Sequence, residues 1–131
     1  MVVPPDHPLA AQDTVKLKDT LAYPQIFFNR RSGLRDIIDG LFAKAGGYPD
    51  CIMEIEEDMV VAGLVAQGFG IAVVPHMRVL HDLPVKALKI IEPVPERDFY
   101  MASLKGTYFA PLVVSFKEFA STYKYKSKYI F

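Results

Sequence analysis

A short loop, residues 29–33, carries the side chains best suited to chemistry. It consists of Asn29, Arg30, Arg31, Ser32 and Gly33. The apolar run before it predicts a strand over 25–28, and the pattern after it predicts a helix. Free N–H groups at a helix N-terminus attract anions, and the two arginines, with Arg35 close behind, add positive charge. We therefore expect the loop to bind a small anion, although an exposed turn whose arginines serve only solubility has the same composition.

A cluster of carboxylates follows the next predicted strand. Its members are Glu54, Glu56, Glu57 and Asp58. Paired acids support general acid–base catalysis or oxygen ligation of a hard cation. Glu54 and Glu56 fall on one strand face, however, and Asp58 is expected to cap the helix that follows. Structural or solvated roles are therefore favoured for the cluster, and Glu56 is its functional candidate because it ends the strand.

Other reactive side chains do not form recognisable sites. His76 and His81 are five positions apart, which does not place them on one helix face, and His7 and Cys51 are isolated in sequence. We expect no metal site and no cofactor. Gly68-Phe69-Gly70 follows a helix and precedes a strand, the reverse of a dinucleotide-binding loop. No nucleophile motif is present, so we expect no enzyme activity.

The elements that position the loop are predicted from apolar periodicity. Residues 58–66 are apolar on nearly every side, which predicts a buried helix, and the run 71–74 predicts a central strand covered on both faces. Apolar residues at helical spacing predict a helix after the loop: Leu34, Ile37, Ile38, Leu41 and Phe42. Other predicted elements are a strand at 2–3, a helix at 15–21, strands at 51–56, 85–91 and 99–104, and a helix starting at Pro111. This alternation indicates an α/β fold with a mostly parallel sheet and helices on both faces.

Composition limits the classes of function. The 131 residues are 51% hydrophobic, enough for a sizeable core, and fifteen basic residues balance fifteen acidic ones. A net charge of zero gives no overall attraction to nucleic acid or to an anionic membrane. No apolar run reaches the roughly 18 residues that a membrane span needs. The single cysteine, Cys51, is expected to be a buried thiol in a cytoplasmic protein.

Three motifs, taken in order, resemble the effector-binding domain of LysR-type transcriptional regulators. They are Asp6-His7-Pro8-Leu9-Ala10, Gly33-Leu34-Arg35 and the run from Val65 through Gly68-Phe69-Gly70 to Val73-Val74-Pro75. The likeness extends from about Val2 to Ala120. The third motif is the most specific, because the helix, the glycine pair and the apolar strand ending in proline occur together in that family.

The resemblance implies a periplasmic-binding-protein-like fold of type II, in which a cleft between two subdomains binds a small anionic metabolite, a carboxylate. It implies a homo-oligomer that binds DNA through a helix-turn-helix domain absent from this chain. It divides the chain into a crossover strand and turn (1–12), the second subdomain (13–96), and a return strand and helix directed to a missing first subdomain (97–131). The family's contact regions match Asn29 to Gly33 and the strand end near Glu56. The alternatives are a stand-alone solute-binding domain and an enzyme using Glu56 with His76 or an arginine.

Overall fold

The computed structural model describes residues 1–95 and 100–123, which fall into two compact units at that division. The strands of the first unit are β1 (Val2–Val3), β2 (Thr14–Lys16), β3 (Gln25–Phe28), β4 (Cys51–Ile55), β5 (Lys86–Ala87) and β6 (Lys89–Glu92). Its helices are α1 (Gly33–Ala45) and α2 (Asp58–Ala66), with short 3-10 turns at Pro8–Ala11, Leu17–Thr20 and Arg78–His81. The second unit contains α3 (Pro111–Thr122). In the described ranges, no helix is both long and apolar enough to cross a membrane.

Helix α1 forms where its sequence predicts it. The Ser32 side chain accepts a hydrogen bond from the Leu34 N–H and so caps the first turn. The apolar positions repeat every three or four residues, and Ile38 and Phe42 are almost fully buried on that face. Gly46 ends the helix in the left-handed conformation, with φ of 89°. The predicted helix after the loop is confirmed.

A central segment, residues 71–74, lies between β1 and β3 and forms one bridge with each of them. Ile71 pairs in parallel with Gln25 of β3, and Ala72 pairs antiparallel with Val2 of β1. On its outer side β3 pairs in parallel with β4, and β1 pairs antiparallel with β5. All four residues of the segment are buried, as its unbroken apolar run predicts. The predicted central position is confirmed, although the segment is held by single bridges and not by a continuous ladder.

Helix α2 is less buried than its composition predicts. Val61, Ala62 and Val65 are fully buried, whereas Met59 and Val60 are about half exposed, at 49% and 48%. Glu57 is the N-cap residue of the helix, and its side chain forms no capping hydrogen bond. The prediction that Asp58 caps the helix is therefore wrong, because Asp58 lies in the first turn. Gly68, which follows the helix, has φ of 78°, a left-handed conformation that glycine adopts at low cost.

Three other expectations are wrong. The predicted helix at 15–21 is replaced by β2 and a 3-10 turn, because Val15 is buried and pairs in parallel with Ile90 of β6. Cys51 is exposed, because it lies at the start of β4, which pairs only with β3 in the described chain. Residues 100–104 form no strand, and Phe99 and the tail 124–131 lie outside the described residues.

The strand predicted at 85–91 is present as two short strands, β5 and β6. They are separated by Leu88 and pair with different partners.

The second unit contains one helix with no buried residue. Pro111 occupies the first helical position, where its missing N–H costs nothing, as predicted. Apolar side chains on α3 remain open to solvent; the exposed fraction is 82% for Leu112 and 59% for both Phe116 and Phe119.

Candidate functional site

The carboxyl ends of β3 and β4 bring two predicted residues together. The backbone N–H of Asn29, which follows β3, donates to the carbonyl of Ile55 at 2.8 Å, extending the pairing by one residue. The Nδ2 of Asn29 donates to Oε2 of Glu56 at 3.2 Å. Both side chains therefore stand at the same sheet edge because β3 and β4 are parallel neighbours. In open α/β sheets this is the edge where ligands bind.

The loop between β3 and α1 is held by its own hydrogen bonds. Oδ1 of Asn29 accepts from the N–H of Arg31 at 3.0 Å, and the Asn29 carbonyl accepts from the N–H of Ser32 at 3.1 Å. Ser32 then caps α1 through its hydroxyl oxygen. The side chains of Arg30 and Arg31 project from this fixed turn and are exposed, as is Gly33 at the first helical position. The arrangement offers two exposed cations beside a helix N-terminus.

Arg35 does not act as a third exposed cation. It is 8% exposed, and its Nη1 donates to the Phe28 carbonyl at 2.8 Å and to Oε1 of Glu54 at 2.6 Å. Its Nε donates to both carboxylate oxygens of Asp39, at 2.9 and 3.0 Å, and its Cζ lies 5.1 Å from the centroid of the Phe27 ring. The expectation that Arg35 supplies charge to the loop is therefore wrong, because its charge is matched by two carboxylates.

The Arg35–Glu54 pair changes the titration of both groups. The hydrogen bond from Arg35 lowers the pKa of the Glu54 carboxyl, and the charges of Arg35 and Arg30 lower it further. The hydrogen bond with Glu54 raises the pKa of Arg35, against the effect of burial. Glu54 therefore remains an anion down to more acidic pH than an ordinary glutamate.

The four carboxylates predicted as a cluster have separate roles. Glu54 pairs with Arg35, Glu56 accepts from Asn29, and Glu57 and Asp58 begin α2. In the described ranges no three histidine, cysteine, aspartate or glutamate side chains are grouped so that they could hold a metal ion.

Each histidine ring packs against another aromatic ring. Nδ1 of His7 accepts from the N–H of Leu9 at 3.2 Å, and its ring lies 4.6 Å from that of Tyr23. Burial lowers the pKa of His7, with Asp6 opposing the shift. The rings of His76 and His81 meet edge to face, with centroids 6.1 Å apart.

A cavity of about 340 Å³ was not predicted. It lies where the central segment ends, and neither the 29–33 loop nor Glu56 lines it. Because the segment runs parallel to β3, its carboxyl end faces the same sheet edge as the loop. Such a strand end is the signal that could have located the cavity. Its walls are Met1, Val2, Asp13, Thr14, Val74, Pro75, His76, Leu80, Ala87, Leu88 and Lys89.

Known proteins resemble this chain over most of its length. Residues 1–123 match the family model described as the LysR substrate binding domain. The HTH-type transcriptional regulator YybE of Bacillus subtilis strain 168 is 32% identical over 117 residues, which cover 89% of this chain and 40% of YybE. The chain thus spans about two fifths of that relative's length.

Solved structures agree in fold. The effector-binding domain of QuiR in complex with shikimate is 44% identical, with a TM-score of 0.82; the match covers 91% of this chain and 57% of that domain's chain. The Synechocystis PCC6803 CcmR regulatory domain in complex with 2-PG is 21% identical, with a TM-score of 0.75, and supports the fold alone; the match covers 90% of this chain and 58% of that domain's chain. The α/β architecture with parallel pairing is that of these type II periplasmic-binding-protein-like domains. The chain belongs to the LysR substrate-binding domain family.

Proposed function

We propose that this chain senses a small hydroxylated carboxylate as the effector-binding domain of a LysR-type transcriptional regulator. The observation that carries the proposal is the joining of Asn29 to Glu56 beside two exposed arginines at the carboxyl edge of the sheet. The 44% identity with a domain that binds shikimate, a hydroxylated carboxylate, supports the choice of ligand class.

Each residue of the proposed site has a distinct role. Arg30 and Arg31 pair with the carboxylate, and the N–H of Gly33 and the helix N-terminus favour the same charge. Asn29 and Glu56 exchange hydrogen bonds with ligand hydroxyl groups, since one is a donor and acceptor and the other an acceptor. Ser32 holds the turn through its cap. The cavity at the end of the central segment, with Val74, Leu80 and Leu88 in its walls, offers apolar surface to a carbon ring.

Sensing requires parts beyond this site. We assign residues 13–96 to the second of two subdomains, 1–12 to the crossover that enters it, and 97–131 to the return toward the first. Ligand bound in the cleft between the subdomains changes the geometry of a homo-oligomer on DNA, which a separate helix-turn-helix domain contacts. The protein performs no catalysis and acts in the cytoplasm with its DNA. The descriptions of the relatives as transcriptional regulators support this assignment.

Calorimetry with shikimate tests the proposal, using the purified protein in the longest form that its gene encodes. We expect saturable binding of shikimate and much weaker binding of its methyl ester, which lacks the negative charge. Equal binding of acid and ester would overturn the anion site. If shikimate and a panel of other hydroxylated carboxylates all failed to bind, the proposed ligand class would be wrong.

A further inference from the structure

We propose that Arg35 is a positioning residue for the effector edge: it closes the 29–33 loop and compensates the charge of Glu54, leaving Arg30 and Arg31 available to the ligand. The inference rests on the proposed function for its ligand but on the observed contacts for its geometry. Arg35 lies in the first turn of α1, directly behind the loop, and its side chain points inward.

Arg35 bonds the loop at both of its ends. Its backbone N–H donates to the Ser32 carbonyl at 3.0 Å, on the helix side. Its Nη1 donates to the carbonyl of Phe28, the last residue of β3, at 2.8 Å. Asn29, Arg30 and Arg31, which are three of the proposed ligand contacts, lie between these two carbonyls. The planar guanidinium is suited to joining several acceptors because its N–H donors point in fixed directions.

The same guanidinium connects the loop to both neighbouring elements. Nη1 also donates to Glu54 on β4, and Nε donates to Asp39 one turn along α1. The Arg35 side chain is only 10% exposed, whereas those of Asp39 and Glu54 are 23% and 44% exposed, so the contacts are shielded from water on the arginine side only. Movement of the loop relative to β4 or α1 would therefore break contacts of Arg35.

Charge gives Arg35 a second effect on an anionic ligand. The edge carries the carboxylates of Glu54 and Glu56, and both would repel a bound carboxylate. Arg35 offsets Glu54 in a 2.6 Å ion pair, and Arg30 acts on the same carboxyl. Without Arg35, the electrostatic pull of Glu54 on Arg30 would increase and one negative charge at the edge would be uncompensated. At the effective dielectric constant of a protein surface, such a charge weakens anion binding by about tenfold.

Three variants separate positioning and charge from simple packing: Arg35→Gln, Glu54→Gln and the double variant. The probe is shikimate, measured by calorimetry at low and high salt on the longest form of the protein. We expect about tenfold weaker binding for Arg35→Gln, with a smaller deficit at high salt because screening reduces the repulsion. We expect binding by Glu54→Gln to be about threefold tighter than wild type, and the double variant to recover to within about threefold of wild type.

A double variant as weak as Arg35→Gln would overturn the charge role, and unchanged binding by Arg35→Gln would overturn the proposal as a whole. If Arg35→Gln does not fold, Glu54→Gln still tests the charge role, because a purely structural link between the two residues predicts weaker binding of shikimate and not tighter binding.

Hydrogen exchange tests the geometry without any ligand. The amides of Arg31, Ser32 and Leu34 should exchange faster in Arg35→Gln than in the wild type. Lys16→Gln, which breaks the exposed 2.7 Å pair with Glu92, is the matched control, and the exchange rates of these three amides should be unchanged in it. Exchange in Arg35→Gln as slow as in the wild type would reject the positioning role. If exchange is faster in Arg35→Gln but shikimate does not bind to the wild type, only the choice of ligand is rejected.

Discussion

The side-chain amide of Asn29 donates to the carboxylate of Glu56 at 3.2 Å, across 27 residues of sequence. The two residues are adjacent because each follows one of two parallel strands, and Asn29 continues the pairing through the Ile55 carbonyl. The same asparagine also organises the loop, since its Oδ1 and its carbonyl accept from Arg31 and Ser32. A ligand at this edge would meet a preformed donor and acceptor and not a flexible turn.

Arg30→Ala should weaken the binding of a carboxylate effector by about 1–3 kcal/mol, the usual loss for one charge-assisted hydrogen bond. Arg30 is exposed, so its removal should not alter folding. Calorimetry measures the change in affinity, and Lys44→Ala, which removes an exposed base from the far end of α1, is the control. Unchanged affinity for Arg30→Ala would remove Arg30 from the site.

The Arg35–Glu54 pair should contribute to stability in a pH-dependent manner. The pKa of Glu54 is below its ordinary value of 4.5 because Arg35 donates to its carboxylate. A group whose pKa is lower in the folded state stabilises the fold above its unfolded pKa and loses that contribution as pH falls through the folded pKa. Thermal unfolding of wild type and Glu54→Gln should therefore differ most near neutral pH and converge as pH falls below about 4. A constant difference across this range would contradict the assignment.

Gly70→Ala should destabilise the protein by about 1–3 kcal/mol through overpacking. A Cβ at Gly70 would lie 2.9 Å from the Pro24 carbonyl oxygen and 3.2 Å from Cδ1 of Ile52, so the backbone beside β3 would have to move. Gly63→Ala in α2 is the matched control, because its Cβ would meet nothing within 4 Å. Removing a helical glycine should stabilise by about 0.5–1 kcal/mol. Chemical denaturation of both variants measures the two effects, and a neutral Gly70→Ala would argue against the close approach.

Cys51 should react with iodoacetamide in the folded protein, but more slowly than a free cysteine at pH 8. The thiol is exposed, so reaction needs no unfolding. Partial desolvation raises its pKa and Glu54 raises it further, which lowers the fraction of reactive thiolate. Glu54→Gln should accelerate the reaction. Labelling that appears only in denaturant would contradict the exposure of Cys51.

Self-association should depend on the apolar side chains of α3. Within the described unit 100–123 the helix has no buried residue, and Phe116 is 59% exposed. Exposed apolar surface of this kind favours a partner. In analytical ultracentrifugation the sedimentation coefficient should rise with concentration, and Phe116→Lys should reduce the rise more than Ser121→Lys, which adds the same charge at a polar position. A monomer at all concentrations would exclude self-association through this helix.

Local signals predicted the elements closest to the site. The spacing of Leu34, Ile38 and Phe42 defined α1, and the short apolar run before Asn29 defined β3, because both depend on residues a few positions apart. Placing the 29–33 loop and Glu56 at one sheet edge required only parallel order, which α/β alternation predicts. Whether those residues bind an effector stays a prediction.

Pairing between distant segments determined the rest. Val15 to Leu21 looked helical in isolation, but burial of Val15 against β6 favoured a strand. Helix α2 carries apolar residues on all of its sides, so composition could not tell that Val61 would be buried and Val60 would face solvent. Arg35 looked like one more base near the loop, and only the fold placed it between Phe28, Asp39 and Glu54. The sequence by itself determined α1, β3 and the loop between them, because propensity and periodicity are local. The tertiary structure decided which charges remain exposed, because burial and ion pairing depend on contacts between residues far apart in the chain.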